Sequence, residues 1–242
     1  MKKFTLFVLA MLMIIPCAFG FSACGKKDDD KTPSTNTLYV DENLSLSSAV
    51  AQAQSGDIVK LNTDVTLSEP VKINKSVTID MGGKTISNTE DIWDVTNKDW
   101  SLISVQEGGN LTIKNGNIVA KENDCYALDV RDGGKLTVES GKYIGNVHSV
   151  YVYEGEAIIN GGEFDIKQLS DITGDSRYTL NCYDANYRNE TAKISVTGGK
   201  FANYNPAGST SEYPTANFLA EGYKTTSQTV GEDVWYTVTH NN

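Results

Sequence analysis

Apolar and polar residues alternate along this chain in short bursts, and five of the bursts share one phrase. They are VTIDMGGKTIS from Val77, LTIKNGNIVA from Leu111, LTVESGKYIG from Leu136, AIINGGEFDI from Ala157 and ISVTGGKFAN from Ile194. Aligned on the last residue of the first apolar run (Ile79, Ile113, Val138, Ile159, Val196), each has a glycine three positions on: Gly82, Gly116, Gly141, Gly162, Gly199. An apolar or aromatic residue follows two positions later at Ile118, Tyr143, Phe164 and Phe201; the first phrase carries an extra residue, so Ile86 takes that role. Period-two alternation predicts half-buried strands, and a glycine between two strands supplies the positive φ of a sharp corner. The phrases recur after 34, 25, 21 and 37 residues, which is the pattern of fixed rungs joined by loops of variable length.

Between the phrases lie further alternating runs: SLISV from Ser101, YALDV from Tyr126, SVYVY from Ser149 and YTLNCY from Tyr178. Each rung then holds about three short strands. Rungs stacked in parallel at ~4.8 Å bury apolar faces that no single phrase can bury alone. The predicted fold is all-β, a parallel β-helix, and its irregular repeat length favours the right-handed form over the left-handed one with its stricter hexapeptide period. Both ends need covers, because a terminal rung exposes unpaired edges. At the front, ENLSLSSAVAQAQSGD predicts a short capping helix, with Asn43 or Ser45 at its start, Leu46, Ala49, Val50 and Ala53 on one face and Gly56 after its end. At the back, NFLAEGYKTTSQTVGEDVWYTVT predicts two strands and a loop as a β cap.

The helix followed by GDIVKLNTDVTL, the LTI-NG-I rungs and the closing NFLAEGY…WYTV resemble pectate-lyase-like β-helix domains of Bacteroidota-type surface proteins from gut bacteria, over residues 38–242. The resemblance implies an architecture and not an activity, since that scaffold serves lyases, hydrolases and adhesins alike.

Residues 1–23 predict a secretion signal: Lys2 and Lys3, an apolar run too short for a confident membrane span, then small residues. Phe21-Ser22-Ala23-Cys24 resembles a bacterial lipobox with Phe at the usual Leu position, which implies cleavage before Cys24 and acylation of that cysteine. Residues 24–37 predict a flexible acidic tether, and its Asp28-Asp29-Asp30 resembles the export signal of Bacteroidota surface lipoproteins. Together these imply an outer-membrane protein held by a lipid anchor and exposed at the cell surface. The whole chain of 242 residues carries a net charge of −10; without Lys2 and Lys3 it is −12, which disfavours nucleic acid and anionic lipid as partners.

Candidate chemistry centres on the outward positions of the strands from Ser101, Tyr126, Ser149 and Tyr178. One column reads Gln106, Arg131, Tyr153, Tyr183; its neighbour reads Ser104, Asp129, Tyr151, Asn181. The resemblance implies that a lyase would need an Arg or Lys base beside Ca²⁺-holding carboxylates, and a hydrolase two or three converging carboxylates. This face offers only Asp129 and Arg131, expected to form a surface ion pair, so the balance leans against an enzyme. Tyr151, Tyr153 and Tyr183 beside Asp129, Arg131 and Asn181 are the candidate ligand site, with rings suited to stack on sugars. Trp93 and Trp100 wall that groove or, preferably, pin their own loop.

At the corners that follow, Glu107, Asp132, Glu154 and Asp184 form a column of acids. The preferred reading is turn chemistry, with no cofactor; the alternative is a Ca²⁺ ion relieving their repulsion. Cys125 and Cys182 are placed two rungs apart, ~9.6 Å along the axis, beyond the reach of a disulfide. The expected function is non-catalytic binding or adhesion at the surface, toward glycans or surface proteins. A polysaccharide lyase or glycoside hydrolase relative and a structural spacer of a surface complex are the alternatives.

Overall fold

The alternating runs become strands, and every third strand joins the same sheet. A computed structural model describes residues 35–168, 178–210 and 215–241. The signal, Cys24, the acidic triplet and most of the tether lie outside the described residues. The first sheet has the order Thr37–Val40, Asp57–Leu61, Ser76–Asp80, Asn110–Lys114, Gly134–Val138, Gly155–Ile159, Ala192–Val196, all parallel. The second runs Val65–Leu67, Thr85–Asn88, Asn117–Val119, Lys142–Gly145, Glu163–Ile166, Lys200–Ala202 in parallel. The third runs Val71–Ile73, Ser101–Val105, Tyr126–Val130, Val150–Val152, Leu180–Cys182, also in parallel. From Asp57 to Ala202 the chain visits first, second and third sheet in strict rotation. The molecule is mostly strand, and its long parallel sheets fit a β-helix.

Registry confirms the alignment of the repeated phrase. Val59, Ile79, Ile113, Val138, Ile159 and Val196 are direct partners across the first sheet, all fully buried. Ile86, Ile118, Tyr143, Phe164 and Phe201 are likewise partners in the second sheet. Their lower half is an aromatic stack: Tyr143 and Phe164 lie 5.3 Å apart at 18°, Phe164 and Phe201 4.9 Å apart at 11°. The Tyr143 hydroxyl, buried with its ring, donates to the Ser140 carbonyl at 2.8 Å, so the column carries no orphaned polar atom there.

The corner glycine does its expected work at four of the five phrases. Gly141 has φ +118°, and a Cβ there would lie 2.4 Å from the Gly116 carbonyl oxygen. The second phrase differs. Asn115 carries the left-handed conformation (φ 62°), and Gly116 is needed for space, since a Cβ would meet the Met81 Cβ at 2.3 Å.

Both covers form. The front helix spans Leu46–Gln52; Ser45 and not Asn43 caps it, its Oγ accepting from the Ser48 N–H at 3.2 Å. Leu46, Ala49 and Val50 turn inward, and the C-cap is Ala53, three residues before Gly56. At the back, Tyr223–Val230 and Asp233–His240 pair antiparallel, and the latter pairs antiparallel with Lys200–Ala202, ending the second sheet's parallel order. Cys125 and Cys182 are both buried free thiols, and burial pushes the Cys125 thiol up, with Asp124 adding to the effect.

Candidate functional site

The outward columns of the third sheet stand in the expected register. Ser104 is opposite Asp129, Asp129 opposite Tyr151, and Tyr151 opposite Asn181. Lys72 precedes them in the same row. In the neighbouring column Tyr153 and Tyr183 stack at 4.9 Å and 29°.

The expected surface ion pair is instead buried. Asp129 and Arg131 do pair, but their side chains are 0% and 4% exposed. Arg131 presents a fork, with Nε 3.0 Å from one carboxylate oxygen and Nη2 3.3 Å from the other. Ser104 accepts from Arg131 Nε and donates to Asp129, each at 3.1 Å. Ser101 Oγ donates to Asp129 Oδ1, the oxygen that also accepts from Arg131 Nη2. Burial pushes the Asp129 carboxyl up, opposed first by the Arg131 charge and then by the hydrogen bonds of Ser101, Arg131 and Ser104. The cover over this pair is aromatic. The Arg131 guanidinium carbon sits 4.6 Å from the Trp100 ring centroid, a cation–π contact. Trp100 also meets Tyr153 at 5.6 Å and Tyr151 at 6.0 Å, edge to face.

Trp100 reaches this position because its loop is fastened from a distance. Asp124, itself buried, accepts from the backbone N–H of Ile92 (3.0 Å) and Trp93 (2.8 Å) and from Asn88 Nδ2 (2.6 Å). Asn88 in turn accepts from the Lys121 N–H at 2.8 Å. Lys72 pairs with Asp99 at 2.9 Å at the loop's far end. Asp124 and Lys72 therefore fasten the loop, a role expected of Trp93 and Trp100, and Trp100 covers the sheet face. Trp93 remains 40% exposed and stands edge to face on Tyr126 at 5.2 Å.

Asn181 is held by a residue with no role in the sequence reading. His148 is buried, its ring stacked on Tyr151 (5.4 Å, 12°) and 4.5 Å from Tyr126. Nδ1 lies 2.6 Å from the Tyr178 carbonyl oxygen and Nε2 lies 3.0 Å from Asn181 Nδ2. A carbonyl accepts and an amide NH₂ donates, so these partners assign the neutral tautomer with the proton on Nδ1. Burial is the main cause that brings the His148 pKa down to about 4. The unfolded chain takes up that proton near pH 6.5. The contribution is thus complete above pH 6.5 and is lost as pH falls toward 4, up to about 3 kcal/mol. Urea denaturation from pH 7.5 to 4.5 checks this: His148→Gln is expected to flatten the slope, and equal slopes in both proteins would show that His148 titrates freely in the fold.

The acids at the corners do not gather. Glu107 and Asp132 occupy matching left-handed turn positions (φ 53° and 51°), but Asp184 opens a helix, Asp184–Arg188, and pairs with Arg188 at 3.9 Å. The chain leaves the rung pattern there, so the column stops at Glu154. Among the described residues no three His, Cys, Asp or Glu side chains come together to hold a metal ion. No protein-family model, curated protein or solved structure matches this chain.

The exposed part of the face is consequently a strip of rings. Tyr183 is 42% exposed and stacked on Tyr153, which leans on Trp100. Tyr151 and Tyr126 are half-buried beneath and beside it. Burial pushes the Tyr151 phenol up and that of Tyr126 to about 12, so both stay protonated and able to donate. Of the six candidate ligand residues, Tyr183 faces solvent and Tyr151, Tyr153 and Asn181 do so in part, while Asp129 and Arg131 are buried beneath them.

Proposed function

We propose that this is a lipid-anchored, non-catalytic binding protein of the bacterial outer surface whose aromatic face takes carbohydrate. In this reading the rotating sheets form a right-handed parallel β-helix of the pectate-lyase-like kind, and Cys24 carries the anchor. The observation that supports it most is the Trp100–Tyr153–Tyr183 run, a continuous row of rings with an amide, Asn181, fixed alongside by His148. Pyranose rings stack their C–H faces on such surfaces while their hydroxyls meet flanking polar groups.

A lyase or hydrolase reading is less favoured because Asp129, the acid of this sheet face, has both oxygens engaged beneath Trp100. General acid–base work needs a carboxylate that reaches the substrate. Tyr153→Ala/Tyr183→Ala on a glycan array tests the proposal. The double variant is expected to lose about tenfold or more of the wild-type signal while keeping a cooperative melting transition above the assay temperature. A wild-type chain that recognises no glycan, or a variant with an unchanged profile, would remove this face as a carbohydrate site.

A further inference from the structure

Beside the strip of rings lies a cleft of about 400 Å³ lined by Asp91, Trp93, Asn123, Asp124, Tyr126 and Val147. Its volume falls in the range of small-ligand sites. Trp93 and Tyr126 meet at 70°, so two aromatic surfaces form a corner. The corner is preorganised, because the Trp93 backbone is held by the buried Asp124 carboxylate and a fixed site avoids the ordering cost of binding.

Polar groups surround that corner in mixed sense. Asp91 is an exposed acceptor, and Lys121 Nζ, bonded to it, is a donor at the rim. Asn123 sits in the left-handed region (φ 60°) with its backbone N–H tied to Asn146 Oδ1 at 2.9 Å; its exposed side-chain amide both donates and accepts. A pyranose matches this set: an apolar C–H face for the rings and rim hydroxyls that each donate and accept. Charge narrows the class. Asp91 and Asp124 line the cleft; Lys121 at the rim offsets the charge of Asp91, so Asp124 keeps the cleft net acidic, in a chain of net charge −10. A uronate or other acidic sugar would face like charge at close range.

We propose that the Trp93–Tyr126 cleft is a subsite for one neutral pyranose residue, separate from the Tyr153–Tyr183 platform. The proposal rests on the carbohydrate reading above and adds the place and charge of a sugar unit. The test is saturation-transfer NMR of the full chain at neutral pH with a panel of neutral methyl pyranosides and with the methyl glycoside of galacturonic acid, whose carboxylate is ionised there. Neutral sugars are expected to give signal and galacturonate none. Trp93→Ala should weaken the neutral signal about tenfold, Asn123→Gly should weaken it several-fold, and Tyr183→Ala should leave it in place. Asn123 is exposed and glycine accepts its positive φ, so this variant reports even if Trp93→Ala disturbs the loop. Neutral-sugar signal that survives both cleft variants, or galacturonate binding as well as the neutral sugars, overturns the subsite while leaving the carbohydrate reading standing. No saccharide signal from the wild-type chain overturns both.

Discussion

Asp129→Ala is expected to destabilise the fold by about 3–5 kcal/mol, the cost of leaving a buried charge without its partner. The substitution strands Arg131, whose side chain is 4% exposed, under Trp100 with only Ser104 as an acceptor. The size of the loss does not mean that the pair itself stabilises by that much, because two desolvated charges were needed to make it. Asp129→Leu/Arg131→Met separates the two quantities. It removes both charges, keeps comparable volume, and should recover most of the loss. Urea denaturation of the three proteins decides it. A single variant within about 1 kcal/mol of wild type would mean that water reaches Arg131 and that the aromatic cover is not closed.

Phe164→Ala is expected to cost about 3–5 kcal/mol by a different route. The ring is fully buried and touches Tyr143 on one side and Phe201 on the other. Truncation therefore opens a gap between two rungs, and neighbouring rungs fixed by backbone ladders on three sheets cannot close it by sliding together. Phe164→Leu fills much of the space and should lose less than about 2 kcal/mol. Equal losses for Ala and Leu would show that stacking geometry outweighs volume at this position.

The coil was legible because its rule is local. Alternation names which residues point inward, and the glycine after Ile79, Ile113, Val138, Ile159 and Val196 marks where the chain turns, so register followed from five short alignments. The outward columns followed from the same rule, and Ser104, Asp129, Tyr151 and Asn181 do stand in one row. What covers a column is not local. Asp129 looked like a surface acid because nothing near it in sequence says that Trp100 lies over its partner. That placement depends on Asp124, more than thirty residues from Asn88, accepting from a side chain and two backbone groups at once. His148 was opaque for a related reason. Its two partners, at Tyr178 and Asn181, belong to the next rung and are reached across a gap of about thirty residues. Asp184 shows the reverse error: it obeyed the corner pattern in sequence, yet the chain had already left the rung to form a helix.

The loop that carries Trp93 and Trp100 leaves the second sheet after Asn88 and enters the third at Ser101, so its length can change without shifting any core register. Loops of that kind usually diversify without consequence for the fold. This one cannot do so fully, because it is also the roof over Asp129 and Arg131. Drift in this loop is therefore bounded: exposed positions such as Val95 are at liberty to vary, whereas any lineage that discards Trp100 must also dispose of the two charges beneath it. If the proposed carbohydrate face is used, recognition and folding share Trp100, and the order in which substitutions can accumulate follows from that.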